Sequence, residues 1–528
     1  MVAITFSRSW GGITLLLILG LETSGQTFNL RHHPHGANST SSTGWSIEQA
    51  SGQFIVFGNA NYFDSIFYSS VVTSVVVDGM GNVTMVDRVV DPMHATYPGW
   101  SNGADKLTGG GFVIGGGNFR TDSMDNWIQR PVLYFFSANG EYDSFIELGP
   151  EDQEWIGRQA KQTSDGGFVI CGDAAISNQT DGFVIKTDPL GQQEWVQTYG
   201  GNLSDYINSL GLRAGGGYFS GGQYMSYASR DLWVQALDDT GSVIWDKVWG
   251  SPFNEPNAHL TTANDGHPLI ASGYAQNAND HLRHYLAKLN ALDGEIIWQR
   301  QFGASSVSSA FYVVQEIAPG GDLIAAGGHR ASSQTYGAML RTTSTGDSLW
   351  MRYYQYSDSI VSDKQGLFRD VQPTPDGGFI ACGTALAVPG IYSQDIWVVK
   401  VDEHGCIEPG CQIITGMETQ ITNMRDVLRV WPNPASSAGQ VQVQIKLPES
   451  FVPQGDLRIT ITSSDGRLVH EQAVPLLLGR GAGGEGNAAG ISLSHSFTLS
   501  LSQLSPGLYH LHLSDAPRWI SGAKLVVE

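Results

Sequence analysis

A ten-residue phrase that returns about seven times constrains this chain more than anything else in it. Its clearest copy is Thr163-Ser164-Asp165-Gly166-Gly167-Phe168-Val169-Ile170-Cys171-Gly172, and it comes back as Thr374-Pro375-Asp376-Gly377-Gly378-Phe379-Ile380-Ala381-Cys382-Gly383. A third copy, Gly109-Gly110-Gly111-Phe112-Val113-Ile114-Gly115, lacks the Asp. A turn of Asp and Gly, a short apolar run and a further Gly read as a tight turn feeding a buried strand. The strand openings fall near Phe54, Phe112, Phe168, Tyr218, Pro268, Asp322 and Phe379, roughly 50 to 58 residues apart. That interval belongs to propeller blades rather than to short solenoid repeats.

A second landmark sits inside each repeat. Asp181 to Gly191 leads to Trp195, Asp231 to Gly241 leads to Trp245, Tyr285 to Gly294 leads to Trp298, and Thr345-Gly346 leads to Trp350. This is strand, turn, strand, with Gly where the turn requires positive φ. The Trp keeps one offset from the Gly, as a residue locking one repeat onto the next would. The last copy, Asp395 to Gly405, has no such Trp, and in the first repeat Val75 to Gly81 stands where the hairpin is expected. With a strand such as Tyr206–Leu210 added, each repeat supplies four strands. Four-stranded units repeated about seven times predict an all-β fold: a β-propeller of about seven blades over 26–412. The seventh repeat runs into Cys406 before its fourth strand. Thr27-Phe28-Asn29-Leu30 is expected to supply that strand and so remove an open sheet edge.

Composition agrees with this class. The 528 residues hold 65 Gly, 14 Trp and 19 Tyr with only 15% charged residues, which suits aromatic strands joined by Gly-rich turns. The net charge of -21 argues against a nucleic-acid partner, which would call for a basic stripe. Residues 1–25 read as a secretory signal peptide: Arg8, then an apolar run Ile13–Leu21 too short to span a bilayer, then Thr23-Ser24-Gly25. No later stretch is apolar enough to cross a membrane, so the expected location is extracellular or on the outer cell surface. Four cysteines fit export. Cys406 and Cys411 flank a turn sequence and are expected to form a disulfide; Cys171 and Cys382 occupy equivalent strand positions and read as buried thiols. The His32-His33-Pro34-His35 cluster reads as a solvated terminal segment rather than a metal site.

After a polar linker at 413–426, residues 427–528 show short alternating strands: Val441–Ile445, Leu457–Thr462, Leu468–His470, Phe497–Leu501, Leu508–Leu513 and Ala523–Glu528. They predict a small β-sandwich with a Gly- and Ala-rich loop between Leu478 and Gly490. Four features recur in order: Trp431-Pro432-Asn433-Pro434, the turn Asp465-Gly466-Arg467, the strand Pro506-Gly507-Leu508-Tyr509, and Lys524-Leu525-Val526. In these the region resembles the C-terminal sorting domain (type A) of the type IX secretion system of Bacteroidetes. The Gly-rich insertion departs from that compact pattern. The resemblance implies export by the type IX machinery, followed by removal of this region and release or surface attachment of the rest. The preceding repeats resemble the Asp-Gly-Gly-Phe propellers that accompany such domains, and the Cys406–Cys411 loop fits that arrangement. The hairpin ending in Trp245 is similar to the tryptophan-docking repeat of quinoprotein dehydrogenases and their non-enzymatic relatives, without those enzymes' vicinal cysteines or metal set.

No catalytic signature is present: no His-Glu-x-x-His helix, nucleophile elbow, P-loop or EF-hand. The patterned carboxylates Asp165, Asp188, Asp238, Asp265, Asp293, Asp376 and Asp402 sit in turns, where Asp ordinarily bonds its own backbone. No cofactor is expected, calcium in the turns being the alternative kept open. The expected function is therefore a binding module for a glycan, peptide or protein. The alternatives are a polymer-degrading enzyme, which needs acids from several blades converging in the channel, and a structural or adhesion component. Tyr62, Phe63, Trp100, Tyr224 and Tyr227 are the loop aromatics that could stack on a sugar.

Overall fold

The computed structural model describes residues 26–33, 39–63, 68–89, 95–121, 127–176, 178–276, 281–304, 307–318, 321–331, 334–357, 366–386, 394–408, 411, 420–424, 427–437, 439–447, 456–463, 467–474, 494–502, 504–515 and 518–528. The expected signal peptide, Asp465 and Gly466 and the Gly-rich loop lie outside them. Among the described residues there are strands and turns but no α-helix.

Blade 3 shows the plan. Its strands Trp155–Gln162, Phe168–Ile176, Gln179–Thr187 and Gln193–Tyr199 form one antiparallel sheet in that order, from the centre outward. Blades stack face to face, so the middle strands are covered on both faces. Phe168–Ala174 is buried throughout, which explains why these strands read as apolar runs instead of alternating. The outer strand is exposed along most of its length. Blades 1 and 4 to 6 repeat the order, and in blade 2 the inner strand is split into Thr96–Pro98 and Ala104–Lys106. The first repeat, irregular in sequence, folds as the others do. Asp78 accepts from the N–H groups of Met80 and Asn82 at 2.9 and 2.8 Å and turns the chain between its last two strands.

Blade 7 has three strands from its own repeat and a fourth from the other end of the chain. Phe28–His32 pairs antiparallel with Gln394–Val401, Phe28 opposite Lys400 and His32 opposite Ile396. The expected closure is present. It also revises the reading of the histidines: His32 ends the strand, and His33 Nδ1 lies 2.5 Å from Asp395, which Arg31 also grips, so the described part of the cluster is held in the fold rather than forming a solvated tail.

The docking tryptophans reach across each seam. Trp195 donates to the carbonyl of Asp239 (3.0 Å), Trp245 to Ala291 (3.1 Å) and Trp350 to Glu403 (3.0 Å), always in the next blade. Each indole lies on the turn glycine of that blade. A Cβ on Gly241, where φ is +80°, would stand 2.8 Å from the Trp195 ring. Trp298 lies on Gly346 in the same way.

The remaining strands form a sandwich. Leu428–Trp431, Gln440–Lys446 and Ser494–Ser500 make one sheet; Leu468–Ala473, Leu457–Ser463, Gly507–Asp515 and Arg518–Val527 make the other. Val441, Val443 and Ile445 alternate inward to meet Ile459, Ile461, Leu511 and Leu513. One part of the expected linker is itself a strand: Gln420–Met424 pairs in parallel with the outer strand of blade 6, Ser348–Ser357, and with Arg518–Val527. Cys406 and Cys411 are disulfide-bonded, and Trp519 of the sandwich packs in the same cluster as both. Cys171 and Cys382 are free and buried.

Candidate functional site

Seven inner strands surround the axis, each touching its neighbours, with blade 7 closing on blade 1. In five of them the pairing slips by one residue at the same place. The extra residues are Trp45, Arg158, Asn208, Tyr312 and Arg369, in blades 1, 3, 4, 6 and 7. Such bulges re-aim a side chain out of the ladder. Here they compose one layer around the axis. The Arg369 guanidinium lies 4.5 Å from the Trp45 ring and 4.8 Å from the Tyr312 ring, joining blades 1, 7 and 6. His259 of blade 5 meets Tyr312 edge-on at 5.6 Å. Arg158 lies 4.2 Å over Trp100 of blade 2. Every blade contributes to this layer.

The charges differ in their company. Arg158 is paired with Asp173 at 2.7 Å. Arg369 has no carboxylate partner among the described residues and is held by aromatic faces alone. Burial, reinforced by Arg369, keeps His259 neutral, lowering it to about 3. Several polar groups here are buried with no protein partner: both amide atoms of Asn208, the Arg369 Nε, Ser101 Oγ beside Trp100, and Asp173 Oδ1. Such groups are costly to bury unpaired, and a cluster of them calls for an explanation.

A second layer lies nearer the Asp-Gly-Gly turns. Asp370 of blade 7 accepts from Ile47 N–H (2.9 Å) and Ser46 Oγ (3.0 Å) of blade 1. The position recurs as a latch between neighbours: Ser46 to Ala104 N–H, Gln159 to Leu210 N–H and Ser209 to Leu260 N–H. Asp105 pairs with Lys161 at 3.3 Å and accepts from Gln162 N–H at 2.8 Å. Burial, with Asp370 alongside, pushes Glu48 up to about 8; burial pushes Asp370 up to about 7 against its hydrogen bonds. Acids from blades 1, 2 and 7 thus do converge, but two of the three are engaged in holding blades together.

The turn carboxylates are structural, as expected. Asp188, Asp238 and Asp402 each accept from two N–H groups of their own turns. Asp165 and Asp265 accept from a turn N–H and reach the lysine of the third strand, Lys186 (2.9 Å) and Lys288 (2.5 Å). Asp376 likewise engages Gly378 N–H and Lys400. Among the described residues no group of three or more His, Cys, Asp or Glu is arranged to hold a metal ion. Of the loop aromatics, Trp100 belongs to the channel layer, Tyr224 packs against Trp233 at 5.8 Å, Tyr227 is 92% exposed, and the side chains of Tyr62 and Phe63 lie outside the described part.

In the sandwich the opening and closing motifs meet. Asn433 donates to the carbonyl of Lys524 (2.7 Å) and accepts from Val526 N–H (2.8 Å), while Ala435 and Val527 form a bridge. The peptides before Pro432 and Pro434 are both cis. Tyr509 is buried and donates to Ser505 O at 2.8 Å; Gly507 and Lys524 are exposed.

No protein-family model matches the chain, and no curated protein sequence matches it. Solved structures do align with it. Sqt1 from Chaetomium thermophilum, bound to the N-terminus of the ribosomal protein L10, covers 69% of this chain and is itself covered over 87%, at 14% identity and a TM-score of 0.39. The NanB sialidase of Streptococcus pneumoniae aligns over 72% of this chain and 70% of its own, at 9% identity and a TM-score of 0.35. The Bombyx mori GH32 β-fructofuranosidase BmSUC1 aligns over 96% and 90%, at 10% identity and a TM-score of 0.30. At such identities and scores the likeness extends no further than the all-β architecture.

Proposed function

We propose that this chain is a secreted or cell-surface binding protein that holds a glycan at the bulged layer of its channel, and that its C-terminal sandwich directs export through the type IX secretion system. The layer itself carries the reading. Trp45, Trp100 and Tyr312 offer flat apolar faces, and around them stand unpaired donors (Arg369 Nε, Asn208 Nδ2) and unpaired acceptors (Asn208 Oδ1, Asp173 Oδ1). A sugar presents hydroxyls that both donate and accept beside apolar ring faces, so it can satisfy both kinds of orphan at once. The hydrolase alternative needs two carboxyl groups open to substrate. Asp370 and Asp105 are tied into the blade seams and Asp173 is paired with Arg158, which leaves Glu48 as the unengaged carboxyl among these described residues.

The test is a glycan array and solution screen on the full chain, with sugar release assayed in the same samples. Saturable binding without release, weakened at least tenfold by Trp45→Ala, is expected. Release of sugar, or binding indifferent to Trp45, would remove this reading. For export, the clasp of Asn433 on the final strand supports the sandwich as a folded recognition unit. Asn433→Ala is expected to leave uncleaved chain inside the cell; normal secretion of a chain lacking 427–528 would refute the sorting role.

A further inference from the structure

We infer that the glycan held in this layer is acidic, its carboxylate seated on the Arg369 guanidinium between Trp45 and Tyr312. This rests on the glycan reading above and narrows it to uronate-type sugars.

The two guanidiniums of the layer are an internal comparison. Arg158 sits on Trp100, yet its Nε and Nη2 both lie 2.7 Å from Asp173, so its charge is balanced within the fold. Arg369 sits between two aromatic rings and is half-buried, with its Nε shielded and unpaired. No described carboxylate balances it, although the chain carries 50 Asp and Glu against 29 Lys and Arg. In a protein so acidic, an unbalanced guanidinium among aromatics on the channel axis is not explained by packing. Its planar fork matches a carboxylate in two parallel hydrogen bonds, and the flanking rings limit how the fork can turn. His259 beside it is neutral, so the anion meets one strong cation rather than a diffuse basic field. Asn208, buried with its amide unpaired in the same layer, supplies a donor and an acceptor for the ring hydroxyls.

The experiment uses the full chain and three probes: a galacturonate hexamer, the same hexamer fully methyl-esterified, and a neutral cellohexaose. Binding is read by calorimetry at two salt concentrations, and folding of each variant by thermal unfolding. The acid hexamer is expected to bind at least tenfold tighter than its ester, with affinity falling as salt rises. Arg369→Ala is expected to erase that preference while the chain still unfolds in one cooperative transition, and Arg369→Lys to restore part of it. Equal binding of acid and ester, or a preference that survives Arg369→Ala, would overturn the inference. Binding of cellohexaose alone, lost in Trp45→Ala, would overturn it while leaving the glycan reading standing. If none of the three probes bound, both would fall.

Discussion

The seams between blades 3 to 7 and the seam between blades 7 and 1 do the same mechanical job with different parts. From blade 3 onward a Trp on each outer strand lies on the next blade's turn glycine, four times over. At the closing seam the outer strand comes from the N-terminus, and its Phe28, opposite Lys400, occupies the register that Trp195 occupies opposite Lys186. Phe28 lies on Gly81 of blade 1 just as the indoles lie on theirs. The strand that makes this seam is anchored within blade 7: Trp397 donates to Asn29 at 2.7 Å, as Trp233 donates to Asp246 at 2.7 Å in blade 4, and Arg31 and His33 converge on Asp395. The repeated seams carry polar bonds as well, such as Tyr199 to the Gly241 carbonyl (2.7 Å) and Lys247 to Glu295 (2.8 Å). The two ends of the chain's ring meet instead inside blade 7, between Phe28–His32 and Gln394–Val401, and the convergence of Arg31 and His33 on Asp395 is the anchor added at that joint.

Removing residues 26–33 breaks that comparison most severely. Blade 7 loses its outer strand and blade 1 its cover, so the expected result is loss of the cooperative unfolding transition in the purified chain. An unaltered transition would show that the N-terminal strand is dispensable. Trp245→Ala comes next. It vacates a buried seam and forfeits the bond to Ala291, at a cost of about 3 kcal/mol, read by chemical denaturation. Smaller is the effect at Glu48. Its folded carboxyl titrates well above the unfolded one, so the stability tied to its protonated form is full below the ordinary carboxylate range and disappears as pH rises through about 8. Asp370, Asp105, Lys161 and Lys106 are the charges that act on it. Glu48→Gln is expected to match the wild type near pH 4 and to exceed it by roughly 2 kcal/mol at pH 9. Least of all, Phe28→Trp installs at the closing seam the residue used elsewhere and is expected to shift stability by less than about 1.5 kcal/mol.

The architecture was legible in the sequence because the blades share a turn chemistry: a Gly-bearing turn before the second strand, Asp-Gly-Gly in two of them, and Gly at one offset before a Trp in four. Even the closing strand could be inferred, since a missing fourth strand is visible once the others are counted. The channel layer was not legible from motifs. Arg158, Asn208 and Arg369 each stand seven residues before the turn positions Asp165, Gly215 and Asp376. They form a column only when the repeats are aligned on the turn, and the column's chemistry varies from Trp to Asn to Arg. Nothing in a single strand marks a bulge, since it arises from how two strands pair. The histidines misled for the opposite reason: three close together suggest a tail or a metal, while pairing with Gln394–Val401, some 360 residues away, makes His32 a strand residue and brings His33 against Asp395.

A crystal structure of the full chain with a bound oligosaccharide would test the central claim most directly. The account predicts a sugar ring on the channel axis, stacked on Trp45 or Trp100, with Asn208 and Arg369 hydrogen-bonded to it. A sugar bound on the outer strands or between propeller and sandwich, with the channel layer unchanged, would contradict it.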